Sequence, residues 1–140
     1  MDTTELIQSG IESTELLLRT LAGNKVHLMY VTVTSLRLKG PFHFFKLSYL
    51  AMKIIGQLKA DPACKAYKTT GVWTMHYTMS LWQDEKSLKE FARKGEHLHG
   101  MKNGHSIAKE IVTYTFAAEQ LPDWATAKEL LKTKGRFINY

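Results

Sequence analysis

Histidines are the first candidates for chemistry in this sequence, and three of its six lie close together. Because an imidazole exchanges its proton near neutral pH, His97 could act as a general acid or base, or as an axial ligand of haem. The alternative is a structural histidine at a helix end. His99 and His105 lie nearby, but side chains two positions apart on a helix point to different sides, and Glu96 is the only adjacent carboxylate. We therefore predict no metal site.

Aromatic residues on predicted strands and helices form the second group of candidates. Tyr30, Trp73, Trp82 and Phe91 could line an apolar pocket, although aromatic side chains in strands are more often part of the core. His76 lies within a strand, where a histidine is more often simply hydrogen-bonded to a neighbour. No Ser-His-Asp spacing or glycine-rich phosphate loop accompanies these residues, so the sequence points to no hydrolase or nucleotide enzyme.

Composition and charge restrict the possible partners. Lys and Arg number 19 against 13 Asp and Glu, a net charge of +6, which favours anionic partners in general. No nucleic-acid motif or basic aromatic groove is present, so we predict no nucleic-acid partner. With one cysteine, no signal-peptide pattern and no long apolar run, the expectation is a cytoplasmic protein without a membrane span.

The elements that must position these residues follow from hydrophobic periodicity and turn signals. Residues 1–24 carry a capping box and a helical apolar stripe. Residues 26–119 predict the order βαββαβ, with Gly71 as a bend between the second and third strands, and residues 120–140 predict a short helix over 124–134 and a tail. The fold class is therefore α+β, a single domain with a ferredoxin-like antiparallel sheet, an extra N-terminal helix and a short C-terminal helix.

Alternation along the third and last strands separates two faces of the sheet. On the third strand, Trp73, Met75, Tyr77, Met79 and Leu81 point one way, and threonine-rich sets point the other. We expect the bulky set to face the helices. The hydroxyl-bearing set then faces either solvent or a second subunit.

The stretch 78–101, TMSLWQDEKSLKEFARKGEHLHGM, resembles the dimeric α/β-barrel superfamily that contains antibiotic-biosynthesis monooxygenases. The nearest resemblance is to spheroidene monooxygenase-like bacterial domains of unknown function. It rests on S-x-W at 80–82, L-x-x-F at 88–91, His97, and RLKG at 37–40. Such a resemblance implies a homodimer whose sheets pack face to face, and a pocket between sheet and helices in each protomer.

The resemblance also implies a function. The expectation is a monooxygenase-like enzyme acting on a small apolar substrate, with His97 as acid or base and with no cofactor or with haem. The alternative is a non-catalytic module that binds haem or another small molecule. Haem-degrading members carry Trp and His where this chain has Phe91 and Met101, so haem degradation is not expected. Both residues are retained as substrate-binding candidates.

Overall fold

One antiparallel sheet of five strands positions everything else in the fold. The computed structural model describes residues 29–95, 104 and 106–138. The predicted N-terminal helix, His97 and Met101 therefore lie outside the described residues. The elements are β1 (Met29–Leu38), a 3-10 turn (Pro41–His43), α1 (Phe44–Ala60), β2 (Cys64–Val72), β3 (Met75–Trp82), α2 (Glu85–Ala92), β4 (Ala108–Ala118), α3 (Trp124–Lys134) and β5 (Arg136–Phe137). The order of the strands across the sheet is β2-β3-β1-β4-β5.

The predicted βαββαβ arrangement is confirmed, with β1 in the centre of the sheet. β1 pairs antiparallel with β3 on one side and with β4 on the other, so that Val33 lies opposite both Met79 and Tyr114. Among the described helices, none combines the length and the apolar composition that crossing a bilayer requires.

The sequence predicts that the helices between the strands cover the bulky face of the sheet. In the structure they cover the hydroxyl-bearing face instead. The valine face comprises Val31, Val33, Tyr77, Met79, Leu81, Val112, Tyr114 and Phe116, and it packs under α3 through Ala127 and Leu131. The hydroxyl face comprises Tyr30, Thr32, Thr34, Leu36, His76, Thr78, Ser80, Trp82, Ile111, Thr113 and Thr115. Helices α1 and α2 lie on this second face. Of the bulky set, Met79, Leu81 and Val112 are buried and the other strand residues of the set are half-buried, and its cover is the C-terminal helix.

The β2–β3 hairpin turns two residues later than the sequence indicated. Val72 pairs with Met75, so the turn residues are Trp73 and Thr74, and Gly71 lies within β2. Trp73 has φ of 57°, the positive value that a two-residue hairpin turn of the primed types requires and that glycine or asparagine usually supplies. Tryptophan carries no turn signal, which is why the sequence favoured Gly71.

An aspartate caps each of helices α2 and α3: the sequence predicts the cap at Asp84, which is confirmed, and it predicts Asp123 only as a turn residue. Asp84 accepts the backbone N–H of Ser87 at 2.7 Å at the start of α2, and Asp123 accepts that of Thr126 at 2.7 Å at the start of α3. The backbone hydrogen bond from Ser87 holds the pKa of Asp84 below its ordinary value, and hydrogen bonds from the Thr126 side chain and backbone lower that of Asp123.

The sheet covers one side of helix α1. Among the described residues of α1, Leu50 is buried, whereas Phe45, Tyr49 and Met52 are exposed along a stripe with spacings of four and three. The sequence predicts that the helix over 42–59 is covered on two sides, by the sheet and by the N-terminal helix. The second of these covers lies outside the described residues, so it stays a prediction.

Candidate functional site

A row of threonine hydroxyls crosses the centre of the hydroxyl face. Thr32 Oγ1 lies 2.8 Å from Thr115 Oγ1, and Thr34 Oγ1 lies 3.2 Å from Thr113 Oγ1. Thr113 also donates to the Val33 carbonyl at 3.2 Å. Thr115 is exposed and Thr32 is half-buried, so their hydroxyls are accessible while held in place by each other. These groups can donate to or accept from a ligand that lies on this face.

An aromatic cluster closes one end of the row. The Trp82 and Phe91 rings lie 4.9 Å apart, with Trp82 fully buried and Phe91 nearly so. Trp82 Nε1 donates to Ser80 Oγ at 2.8 Å, which restrains the orientation of the indole ring. Tyr30 lies opposite Trp82 on β1. Three of the predicted binding residues, Tyr30, Trp82 and Phe91, are therefore brought together.

Cys64 is the neighbour of Trp82 on the edge strand β2. Burial raises the pKa of its thiol, and the Sγ donates to the Ala66 carbonyl at 3.6 Å. This side chain is therefore a protonated thiol at neutral pH, which argues against a role as nucleophile.

His76 lies at the opposite end of the hydroxyl face. His76 is six positions from Trp82 along β3, which corresponds to roughly 20 Å at the rise per residue of a β-strand. Its Nε2 lies 2.9 Å from the Trp73 carbonyl, and its ring lies 5.7 Å from that of Phe44. The hydrogen bond to a backbone carbonyl requires Nε2 to carry the proton. His76 therefore packs structurally here and does not meet the Trp82 cluster.

Trp73 does not contribute to the hydroxyl face at all. It occupies the hairpin turn with 80% of its surface exposed, away from the Trp82 cluster, and its role as a pocket residue stays a prediction. Alternation had placed it with the bulky set of β3, but the strand begins only at Met75.

The His76 ring depends on the absence of a side chain at position 71. A Cβ built on Gly71 would lie 2.2 Å from His76 Nδ1. We expect Gly71→Ala to lower the free energy of unfolding by about 1–3 kcal/mol, since the ring must leave both Phe44 and the Trp73 carbonyl. In a urea-denaturation double-mutant cycle, His76→Ala should remove most of that cost. Additive effects of the two substitutions would contradict this packing.

One interaction between the two covering helices was not foreseen. Gln57 Nε2 of α1 donates to the Phe91 and Lys94 carbonyls at 3.4 and 3.1 Å, which ties α1 to the end of α2. A lone glutamine on a helix gives no sequence signal for such a contact. It holds Phe91 at its position against Trp82.

Two imidazoles, those of His43 and His76, lie in the described part of the chain, and the Nε2–H of His76 donates to the Trp73 carbonyl. No group of three or more His, Cys, Asp or Glu side chains that could hold a metal ion occurs within the described part of the chain. The hydroxyl face therefore combines aromatic ring surface with hydroxyl groups.

Comparison with known proteins defines the class of fold. No family profile matches the sequence, and no curated protein matches it significantly. The chain has a ferredoxin-like α+β fold similar to solved structures that include a putative antibiotic biosynthesis monooxygenase from Chloroflexus aurantiacus, so the fold that the resemblance at 78–101 implied is confirmed. The nearer resemblance to spheroidene monooxygenase-like domains stays a prediction.

Three solved structures illustrate the similarity. SnoaB, a cofactor-independent oxygenase from Streptomyces nogalater, superposes with a TM-score of 0.55 at 13% identity, covering 69% of this chain and 99% of SnoaB. A protein of unknown function from Nitrosomonas europaea gives 0.58 at 13% identity, covering 69% and 97%. A conserved protein from Methanosarcina mazei Go1 gives 0.59 at 17% identity, covering 64% and 92%. Each relative is covered almost completely, so about a third of this chain lies outside the shared fold.

Proposed function

We propose that this protein is a monooxygenase-like oxidoreductase that binds a small apolar molecule against the hydroxyl face, beneath α1 and α2. The observation that supports this most directly is the hydrogen-bonded threonine row beside the Trp82 cluster. It offers an apolar wall and oriented hydroxyls on the helix-covered side of the sheet. SnoaB is described as a cofactor-independent oxygenase and has a similar fold at 13% identity. This fold is therefore compatible with oxygenation that uses no cofactor.

The chemistry that suits such a site needs no resident cofactor. A substrate with an activated methylene can lose a proton to a base and react with dioxygen. One oxygen atom then becomes the carbonyl oxygen of the product, and the other leaves as water with the two methylene hydrogens. The substrate supplies all the electrons. We assign the proton transfer to His97, and we assign the Thr32–Thr115 pair to hydrogen bonding with the enolate oxygen that develops.

The homodimer implied by the resemblance belongs to this proposal. We place its contact on the valine face beside α3, because Tyr114 and Phe116 stack there at 5.5 Å while remaining half-buried. Analytical ultracentrifugation at micromolar concentrations tests this, and a monomer mass would contradict the pairing.

The test of the activity is dioxygen consumption with a panel of apolar activated-methylene compounds. We expect His97→Ala to abolish turnover and Thr115→Val to lower kcat by about 100-fold, the size expected for loss of a positioned oxyanion donor. Thr70→Val is the matched control, since this exposed threonine lies on the edge strand β2 opposite Tyr77 of the valine face. Its kcat should equal that of the parent. Equal kcat in Thr115→Val and the parent would rule out the assigned role of the threonine row.

A binding role without turnover is distinguished by the same compounds. A ligand that raises the melting temperature, with no dioxygen consumed and no product formed, would show a non-catalytic module. A haemin titration completes the comparison. A Soret band that depends on His97 would place haem in this protein with His97 as its ligand.

A further inference from the structure

Exposed apolar side chains are concentrated at one end of the molecule. Eight large hydrophobic side chains are exposed in the described part of the chain, and five of them lie where β1 leads into α1 or in the β2–β3 turn. Single exposed apolar residues need no explanation, but a cluster on one surface marks a binding site. We name this surface the aromatic end. Its residues are Phe42 (87% exposed), Phe44 (45%), Phe45 (77%), Val72 (69%) and Trp73 (80%).

Hydrogen bonds and ring contacts hold these segments together as one surface. The Leu38 N–H donates to the Thr74 carbonyl at 2.7 Å, which joins the end of β1 to the hairpin turn. His76 joins the turn to α1, since it contacts both the Trp73 carbonyl and the Phe44 ring. Phe44 and Phe45 lie 6.2 Å apart. The aromatic end is therefore a defined part of the fold. From Phe45, the exposed apolar surface continues along α1 to Tyr49 and Met52.

Basic residues surround the aromatic end. Residues 36–47, 70–77 and 106–111 contain four Lys or Arg side chains, all exposed, and one carboxylate, Glu110. The four are Arg37, Lys39, Lys46 and Lys109. At the opposite end of the sheet the charges are mixed, with Asp61, Asp84, Glu119 and Asp123 among the lysines. A positive rim around protruding aromatic side chains is complementary to an anionic, partly apolar surface.

Trp73 is held at this surface against local backbone preference. A bulky residue with positive φ is a conformational outlier. With 80% of its surface in solvent, the indole contributes little packing to offset that strain. Backbone strain of this kind is typical of residues at functional sites, where the side chain serves binding rather than stability.

We infer that the aromatic end inserts into the headgroup region of an anionic lipid bilayer. Tryptophan and phenylalanine occupy that depth readily, and lysines beside them meet anionic headgroups. A second copy of the chain is disfavoured as the occupant, because pairing this surface with itself would bring the two basic rims together. The inference does not depend on the proposed activity, which uses the hydroxyl face.

Co-sedimentation of the full chain with vesicles tests the inference. The parent should bind phosphatidylcholine–phosphatidylglycerol vesicles but not pure phosphatidylcholine vesicles, and added salt should weaken the binding. Lys39→Gln should weaken it about fivefold, the size expected for one basic residue near an anionic surface. Lys59→Gln, at the far end of α1, is its matched control and should bind as the parent does.

Trp73→Gly and Phe45→Ser test the apolar part of the surface. Each should lower vesicle binding at least threefold, and Trp73→Gly should do so with a melting temperature no lower than that of the parent, because glycine tolerates positive φ. Phe137→Ser, an exposed phenylalanine on β5, is the control and should bind normally. Absence of binding by the parent, or an equal loss in Phe137→Ser, would overturn the inference. A parent dimer that becomes monomeric in Phe45→Ser would also overturn it and would identify a second copy as the occupant.

Discussion

Replacing Trp82 with alanine is expected to lower the free energy of unfolding by about 3–5 kcal/mol, the largest single effect in this fold. The side chain is fully buried, packs on Phe91 at 4.9 Å and donates its indole N–H to Ser80. Its loss leaves a cavity between the hydroxyl face and α2, together with a hydroxyl that has lost its partner. Urea denaturation followed by far-UV circular dichroism measures the effect.

Two further variants separate packing from hydrogen bonding at this position. Trp82→Phe keeps an aromatic ring against Phe91 but loses the indole N–H, so we expect a cost of about 1–2 kcal/mol. Trp73→Ala removes an equally large side chain from an exposed position and should change the free energy of unfolding by no more than about 0.5 kcal/mol. A Trp82→Ala cost below about 1 kcal/mol would contradict the close packing of α2 on the sheet.

The second large effect is expected at Gly135, where the chain leaves α3. A Cβ at this position would lie 2.2 Å from the Leu131 carbonyl oxygen and 2.3 Å from Val112 Cγ1. Neither atom can yield easily, because one is backbone at the end of α3 and the other belongs to a buried side chain of the sheet. We therefore expect Gly135→Ala to lower the free energy of unfolding by about 2–3 kcal/mol.

Gly56 provides the matched control. It lies inside α1 with no atom within 4 Å of a built Cβ, so Gly56→Ala should raise the free energy of unfolding by about 0.5–1 kcal/mol through helix propensity alone. The same substitution thus has opposite signs at two positions, and parallel urea titrations show both. Equal effects at both positions would mean that α3 does not pack on Val112 as described.

Local signals predicted the elements well because each depends on neighbouring residues. The bounds of α3 match the prediction, as does the cap at Asp84, since a capping aspartate and a following amphipathic turn are read from the sequence directly. The turn at Trp73 and Thr74 was missed because neither residue favours it. Gly71 gave a bend signal although its real role is to leave room for His76. The two-residue strand β5 is too short to produce any pattern.

The arrangement of the faces could not be predicted from alternation. Periodicity correctly sorts Val33, Met79 and Val112 onto one face, but it does not say which helix covers them. The cover of this face is α3, and the strand residues carry no signal for where that helix packs. For the site, Tyr30, Trp82 and Phe91 do meet, whereas His76 and Trp73 belong to the other end of β3. The role of His97 stays a prediction.

The central position of β1 has a consequence for how quickly the protein folds. Thr32 and Thr115 hydrogen-bond across neighbouring strands although they are 83 positions apart in sequence. The β2–β3 hairpin and α1 depend on local contacts and can form early in folding. β1 obtains its second partner only when β4, which ends at Ala118 of 140 residues, has been synthesised. Because closing so long a loop costs entropy before any contact offsets it, we expect folding on the slow, millisecond-to-second side for a domain of this size.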